Sequence, residues 1–163
     1  MKTLTHKYAL VMRQPLQWGD MDASGRCGPA TLLRLFETAR LAYFETLIAP
    51  RLSSEVHSGF IRGRGVGRIL RSASLEMAEG EEGRECGVRY PDSLWLGART
   101  VSLSGDRFDQ EYCAVSERDQ RIVAFGRATI VTFDHVKNAK ARVPAEVVQA
   151  MLAVEKMPVT QLH

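Results

Sequence analysis

The sequence predicts an α+β domain in which a curved antiparallel sheet wraps one long central helix, with a short helix near the C-terminal end. Three observations carry this. Between Gln17 and Ile48 a polar turn with two acids runs into a helical segment that is apolar on nearly every face. Residues 94–134 read as three strands in a meander, joined by short polar connections. One strand-like stretch precedes the helix and one follows it. A helix with so little polar surface needs cover all round, whereas an antiparallel sheet needs cover on one face. Both needs are met if the sheet curls about the helix and a second copy of the chain closes the remaining side. A homodimer, alone or as a dimer of dimers, is therefore expected.

Tyr8 to Gln17 reads as the first strand, and Pro15 within it suits an edge or a bulge. The turn Trp18–Gly25 carries Asp20 and Asp22, two residues apart, which in extended chain would point to the same side. Gly28-Pro29 starts the helix, because a proline in the first turn gives up an N–H that has no partner there anyway. Ala30, Leu32, Leu33, Leu35, Phe36, Ala39, Leu41, Tyr43, Phe44, Leu47 and Ile48 cover most faces, and Ala49-Pro50 ends the helix. Residues 51–61 form a mixed loop. Gly67 to Met77 alternates as a strand, and the segment 79–87 is too polar and glycine-rich to be anything but a loop. Leu94–Leu103, Phe108–Ser116 and Arg121–Asp134 are the meander, with Ser104-Gly105-Asp106 and Glu117–Gln120 as hairpin connections. A basic loop leads to the last helix, Pro144–Lys156, and a polar tail over 157–163.

With 163 residues the chain is one domain, its core spanning about 8–151, and 45% apolar with 25% charged residues is the balance of a globular protein. A net charge of +3 suits anionic ligands, yet no basic run is interleaved with aromatics, so nucleic acid is not expected. Cys27, Cys86 and Cys113 are far apart and odd in number, which points to reduced thiols in the cytoplasm and away from disulfides or zinc. Strand-like sequence begins almost at once, and no apolar run approaches the length of a membrane span.

The element order resembles the hotdog fold. The segment WGDMDASG…ATLLRLFETAR is similar to the opening of the 4-hydroxybenzoyl-CoA thioesterase type of acyl-CoA thioesterases. VRYPDSLWLGART and RIVAFGRATIVTFD followed by RVPAEV resemble its later strands, so the likeness runs from Tyr8 to Met151. The resemblance implies hydrolysis of a fatty or aromatic acyl thioester, of coenzyme A or an acyl carrier, at a site between two subunits. Coenzyme A would enter as part of the substrate, with no further cofactor and no metal. It also implies that Asp22 is the catalytic carboxylate, attacking the carbonyl carbon or taking a proton from water. The competing reading of Asp22 is a turn former, since Asp-Ala-Ser-Gly is good turn chemistry by itself. Asp20 is expected to be structural.

The chain departs from the pattern at Arg26-Cys27-Gly28-Pro29, where many relatives carry His-Val-Asn-Asn or a tyrosine-histidine pair. Pro29 falls near the position whose N–H polarises the thioester in the family, and proline has none. Either Gly28 or Ala30 supplies that donor, or the protein binds acyl thioesters without cleaving them. A dehydratase of the same fold is disfavoured because such enzymes pair an acid with a histidine.

Further candidates follow. Glu37 sits where another hotdog branch places its glutamate, against an Arg34-Glu37-Arg40 ladder at helical spacing. Cys27 near the helix start is read as a buried thiol. Gly63, Gly65 and Gly67 precede a strand, so they are no nucleotide loop; Gly65, Val66 and Gly67 either admit the pantetheine arm or form a bulge. Arg62, Arg64, Lys137 and Lys140 are candidates to hold coenzyme A phosphates loosely, the alternative being a solvated basic face.

Overall fold

The protein is described from a computed structural model covering residues 2–79 and 87–156. In chain order it contains α1 (Lys2–Lys7), β1 (Leu10–Pro15), α2 (Pro29–Tyr43), α3 (Ser54–Phe60), β2 (Val66–Met77), β3 (Ser93–Leu103), β4 (Arg107–Ser116), β5 (Ile122–Asp134), β6 (Ala139–Lys140) and α4 (Ala145–Glu155). The main sheet has the order β1-β3-β4-β5-β2, every pair antiparallel, with β6 added to β5. It curls into a half-barrel around α2, the hotdog architecture expected from the order of elements.

Alternation along the strands decides what faces the helix. Leu94, Leu96 and Ala98 of β3, Phe108 and Ala114 of β4, and Ala124, Ala128 and Ile130 of β5 are buried against Leu32, Leu35, Phe36, Ala39, Tyr43 and Phe44. Gly126 permits the closest approach: a Cβ there would stand 2.6 Å from the Phe36 ring. Without one, Phe36 stacks on Tyr112 at 5.4 Å and 18°.

Several expectations change. The helix does not stop at Ala49-Pro50: after Tyr43 it widens into a π-turn over Phe44–Ile48 and tightens into a 3₁₀ turn over Ala49–Arg51. Residues 51–61 are not a loop but hold α3, whose short length and sparse apolar residues give a weak periodic signal. Strand does not begin at once either, because α1 comes first, burying Leu4 and Tyr8 with Cys113 on the face of the sheet opposite α2. Pro15 ends an edge strand, where the missing N–H costs the ladder nothing. Cys86, most of the acidic loop and the tail with His163 lie outside the described residues, while Cys27 and Cys113 are free and buried.

Cover around α2 is incomplete. Leu33 and Leu41 are 38% and 49% exposed, on the side toward β2. β2 is itself an edge strand of 12 residues that exposes Ile69 and Leu70. Among the described residues no helix is long and apolar enough to cross a membrane.

Candidate functional site

The acidic turn separates its two acids. Trp18–Asp20 is a single 3₁₀ turn, so the chain is not extended there and Asp20 and Asp22 do not share a side. Asp20, 8% exposed, accepts a hydrogen bond from the Gln17 N–H at 2.7 Å and pairs through Oδ1 with Arg34. That is a structural role. Asp22 is exposed, and its Oδ1 accepts from Ser24 N–H (2.8 Å), Ser24 Oγ–H (2.5 Å) and Arg26 N–H (3.1 Å). The Ser24 hydroxyl first, and the Arg26 amide after it, hold the carboxyl below the usual carboxylate range. Oδ2 is left without a hydrogen bond among the described residues and lies 3.5 Å from where a Cβ on Gly28 would stand.

Gly28 is the N-cap of α2, Pro29 the first helical residue and Ala30 the second. The first helical bond runs from Leu32 N–H to the Gly28 carbonyl at 3.1 Å, which leaves the N–H groups of Ala30 and Thr31 without a partner inside the helix. Asp22, Gly28 and Ala30 thus gather at the electropositive end of the helix dipole. The segment 88–90, which leads into β3, fixes the turn from outside. Cys27 N–H donates to the Val88 carbonyl (2.8 Å), Arg89 Nη1 to the Ser24 carbonyl (3.0 Å) and Tyr90 N–H to Met21 Sδ (3.3 Å). Exposed Trp18 meets the Tyr90 ring edge-on at 6.0 Å.

Ser24, read in sequence only as part of the Asp-Ala-Ser-Gly turn, and Arg89 are the residues whose contacts to this site sequence reasoning missed. Ser24 left a signal, since Asp-x-Ser is an Asx-turn pattern. Arg89 left none, being 65 positions away. Cys27 is buried and, chiefly through that burial, its thiol is pushed up to about 11, which leaves it protonated and inert at neutral pH.

A second group forms where α3 meets β2. Gly65 has φ +127 and its carbonyl accepts from His135 N–H at 3.0 Å; Val66, half-buried, begins β2; a Cβ on Gly67 would stand 3.0 Å from His135 Nε2. These glycines let α3, β2 and the end of β5 approach closely. Arg62 and Arg64 are exposed beside them, Arg62 paired with Glu45 at 3.4 Å. Lys137 and Lys140 stand 3.7 Å from Asp134 and 3.9 Å from Asp106. The expected ladder on α2 is split: Arg40 pairs with Glu37 at 2.6 Å, while Arg34 is taken by Asp20.

Between α2 and β2 runs a groove with two cavities. One, of 280 Å³, is lined by Leu33, Phe36, Glu37, Arg40, Leu70 and Tyr112 among others. The other, of 170 Å³, is lined by Glu37, Arg40, Leu41, Phe44, Arg68, Leu70 and Ile130. Among the described residues no three His, Cys, Asp or Glu side chains gather as a metal-ligand set.

The fold recurs in solved structures. A thioesterase from Thermus thermophilus, complexed with coenzyme A and zinc, superposes with a TM-score of 0.73 at 19% identity, covering 94% of this chain and 98% of its own. A 1,4-dihydroxy-2-naphthoyl-CoA thioesterase from Synechocystis gives 0.69 at 16% identity, covering 86% and 93%. No curated protein matches the chain significantly. The family model described as the thioesterase-like superfamily matches residues 16–151, nearly the whole span that forms the sheet, the helix and the acidic turn, and the chain belongs to that superfamily.

Proposed function

We propose that the protein hydrolyses acyl thioesters of coenzyme A or an acyl carrier, with Asp22 as general base or nucleophile at the start of α2. The observation that carries this is an ionised carboxylate whose Oδ2 takes no hydrogen bond among the described residues and lies against Gly28, the N-cap of a helix that does not itself use the Ala30 and Thr31 N–H groups. As base, Asp22 takes a proton from water as the oxygen adds to the thioester carbonyl. The resulting oxyanion is met by helix N–H groups, Ala30 replacing the donor that Pro29 lacks. Collapse breaks the C–S bond, and the departing thiolate recovers the proton from Asp22. As nucleophile, the carboxylate adds to the same carbon, expels the thiolate and leaves an anhydride that water then opens.

The active unit in this reading is a homodimer with the site at its interface. Support comes from the open edge of β2 and from Leu33, Leu41, Ile69 and Leu70, which one chain leaves exposed. Gly65–Gly67 and the cations Arg62, Arg64, Lys137 and Lys140 are then read as the pantetheine and phosphate contacts. The buried free thiols of Cys27 and Cys113 suit a reducing compartment.

A second reading, binding of acyl thioesters without turnover, is favoured by Pro29. A panel of acyl-CoAs followed by thiol release, on the native protein and on Asp22→Asn, separates the two. Hydrolysis predicts release that falls ~10²-fold or more in the variant with folding intact. Equal rates in both proteins would move the chemistry away from Asp22, and binding without any release would establish the second reading.

A further inference from the structure

Arg68 in β2 is a half-buried guanidinium with a poor set of partners. Its ring-facing contacts are good: the guanidinium lies 4.1 Å from the centre of Phe44 and 5.3 Å from that of Phe60. Its hydrogen bonding is not, amounting to a 3.4 Å bond to the Ile61 carbonyl, and among the described residues no carboxylate pairs with it. Burial first, and the neighbouring charge of Arg40 next, lower its pKa to about 10, so it keeps its proton at neutral pH. A cation drawn out of water and left unpaired is costly, and aromatic faces offset only part of that cost.

The other two charges in the smaller cavity match each other, Arg40 pairing with Glu37, and nearby Glu45 is held by Arg62. One positive charge is left over there, and the remaining walls are Leu41, Phe44, Leu70 and Ile130. Apolar walls ending at a spare guanidinium fit a molecule that is apolar along its length and anionic at its end.

We propose that the groove between α2 and β2 is an acyl subsite for chains or rings that end in a carboxylate, held by Arg68 with Arg40 beside it. The substrate class is then an ω-carboxyacyl thioester. The thioester half of this statement rests on the hydrolase reading above, whereas the anion-holding half does not.

Two measurements test the halves separately. Thermal unfolding of the whole protein is followed with octanoate and with octanamide, equal in length and differing in charge. Octanoate near tenfold saturation raises the midpoint by ~3 °C, octanamide does not, Arg68→Lys keeps part of the gap and Arg68→Met abolishes it. Equal shifts from the two compounds, or a gap that survives Arg68→Met, overturn the proposal. The kinetic test compares suberoyl-CoA with octanoyl-CoA. A kcat/KM at least tenfold higher for suberoyl-CoA, with Arg68→Met costing that substrate tenfold more than the other, supports the subsite. If octanoate binds through Arg68 and neither thioester is cleaved, the anion subsite stands and hydrolysis falls. If both thioesters are cleaved equally and octanoate shows no advantage, hydrolysis stands and the subsite falls.

Discussion

The two long sides of α2 are built from the same kinds of residue and end in opposite environments. Toward β3, Leu32, Leu35, Ala39 and Tyr43 meet Leu94, Leu96 and Ala98, and the polar groups at its far end, the Tyr43 hydroxyl, Thr100 and Glu155, bond to one another. Toward β2, Leu33 and Leu41 stay exposed, Glu37 and Arg40 form an ion pair, and the groove holds cavities of 280 and 170 Å³. One side is a finished core. The other is left open, as the proposed acyl subsite and dimer contact require. A helix that is apolar all round therefore need not be buried all round by its own chain.

The sharpest way to break that contrast is to truncate matched leucines one position apart. Leu32→Ala, at a site with no exposure, is expected to cost about 3 kcal/mol, and Leu33→Ala less than about 1 kcal/mol. Urea unfolding of the two variants measures both, and equal losses would mean that the β2 side is as closed as the β3 side. Next in size, Leu41→Lys is expected to weaken self-association about a hundredfold and to leave the folded chain stable. The new ammonium lies one helical turn from Glu37 and Glu45 and should pair with either. Sedimentation over a concentration series reads the first effect and unfolding the second.

Glu155 tests the link between the two sides. Its Oε1 accepts from Tyr43 Oη (2.8 Å) and Thr100 N–H (2.7 Å), and bonds continue through Thr100 and Gln110 to Tyr112, which lines the groove. Burial raises the Glu155 pKa above the usual carboxylate value. Its stabilising form is thus the protonated one, fully present below the ordinary pKa and lost as pH rises through the folded value. Glu155→Gln keeps an oxygen for both donors and should match or exceed the native unfolding midpoint at pH 7.5, the advantage vanishing near pH 4. Glu155→Ala strands two donors and should cost about 1–2 kcal/mol. The smallest effect is at the turn. Because Asp22 is held below the usual range, the acid limb of the proposed turnover should lie below that range, and Ser24→Ala, which removes the largest cause of that depression, should move it upward. An acid limb that does not respond to Ser24→Ala would detach the rate from this carboxylate.

Much of this arrangement is written in local pattern. Alternation in Leu94–Leu103 and Arg121–Asp134 places their inward residues, Gly28-Pro29 marks the helix start, and the Asx chemistry of Asp22 and Ser24 marks the turn. What escapes the sequence depends on partners far along the chain or on weak periodicity. The spacing of Asp20 and Asp22 predicts that they share one side of an extended chain, whereas a 3₁₀ turn sends Asp20 inward to Arg34, 14 residues on. Arg68 reads as one of several arginines after a glycine run, and only the packing of Phe44 and Phe60 distinguishes it. Neither α1 nor α3 has the length to announce itself.

The open flank of β2 carries a practical warning. If the proposed second chain pairs there, driving it off leaves a 12-residue edge strand open to any strand that comes near, which is a site for aggregation. A soluble solitary form would need like charges planted along that strand, Lys at Ile69 for instance, because trimming side chains to alanine removes the specific mate while keeping the stickiness.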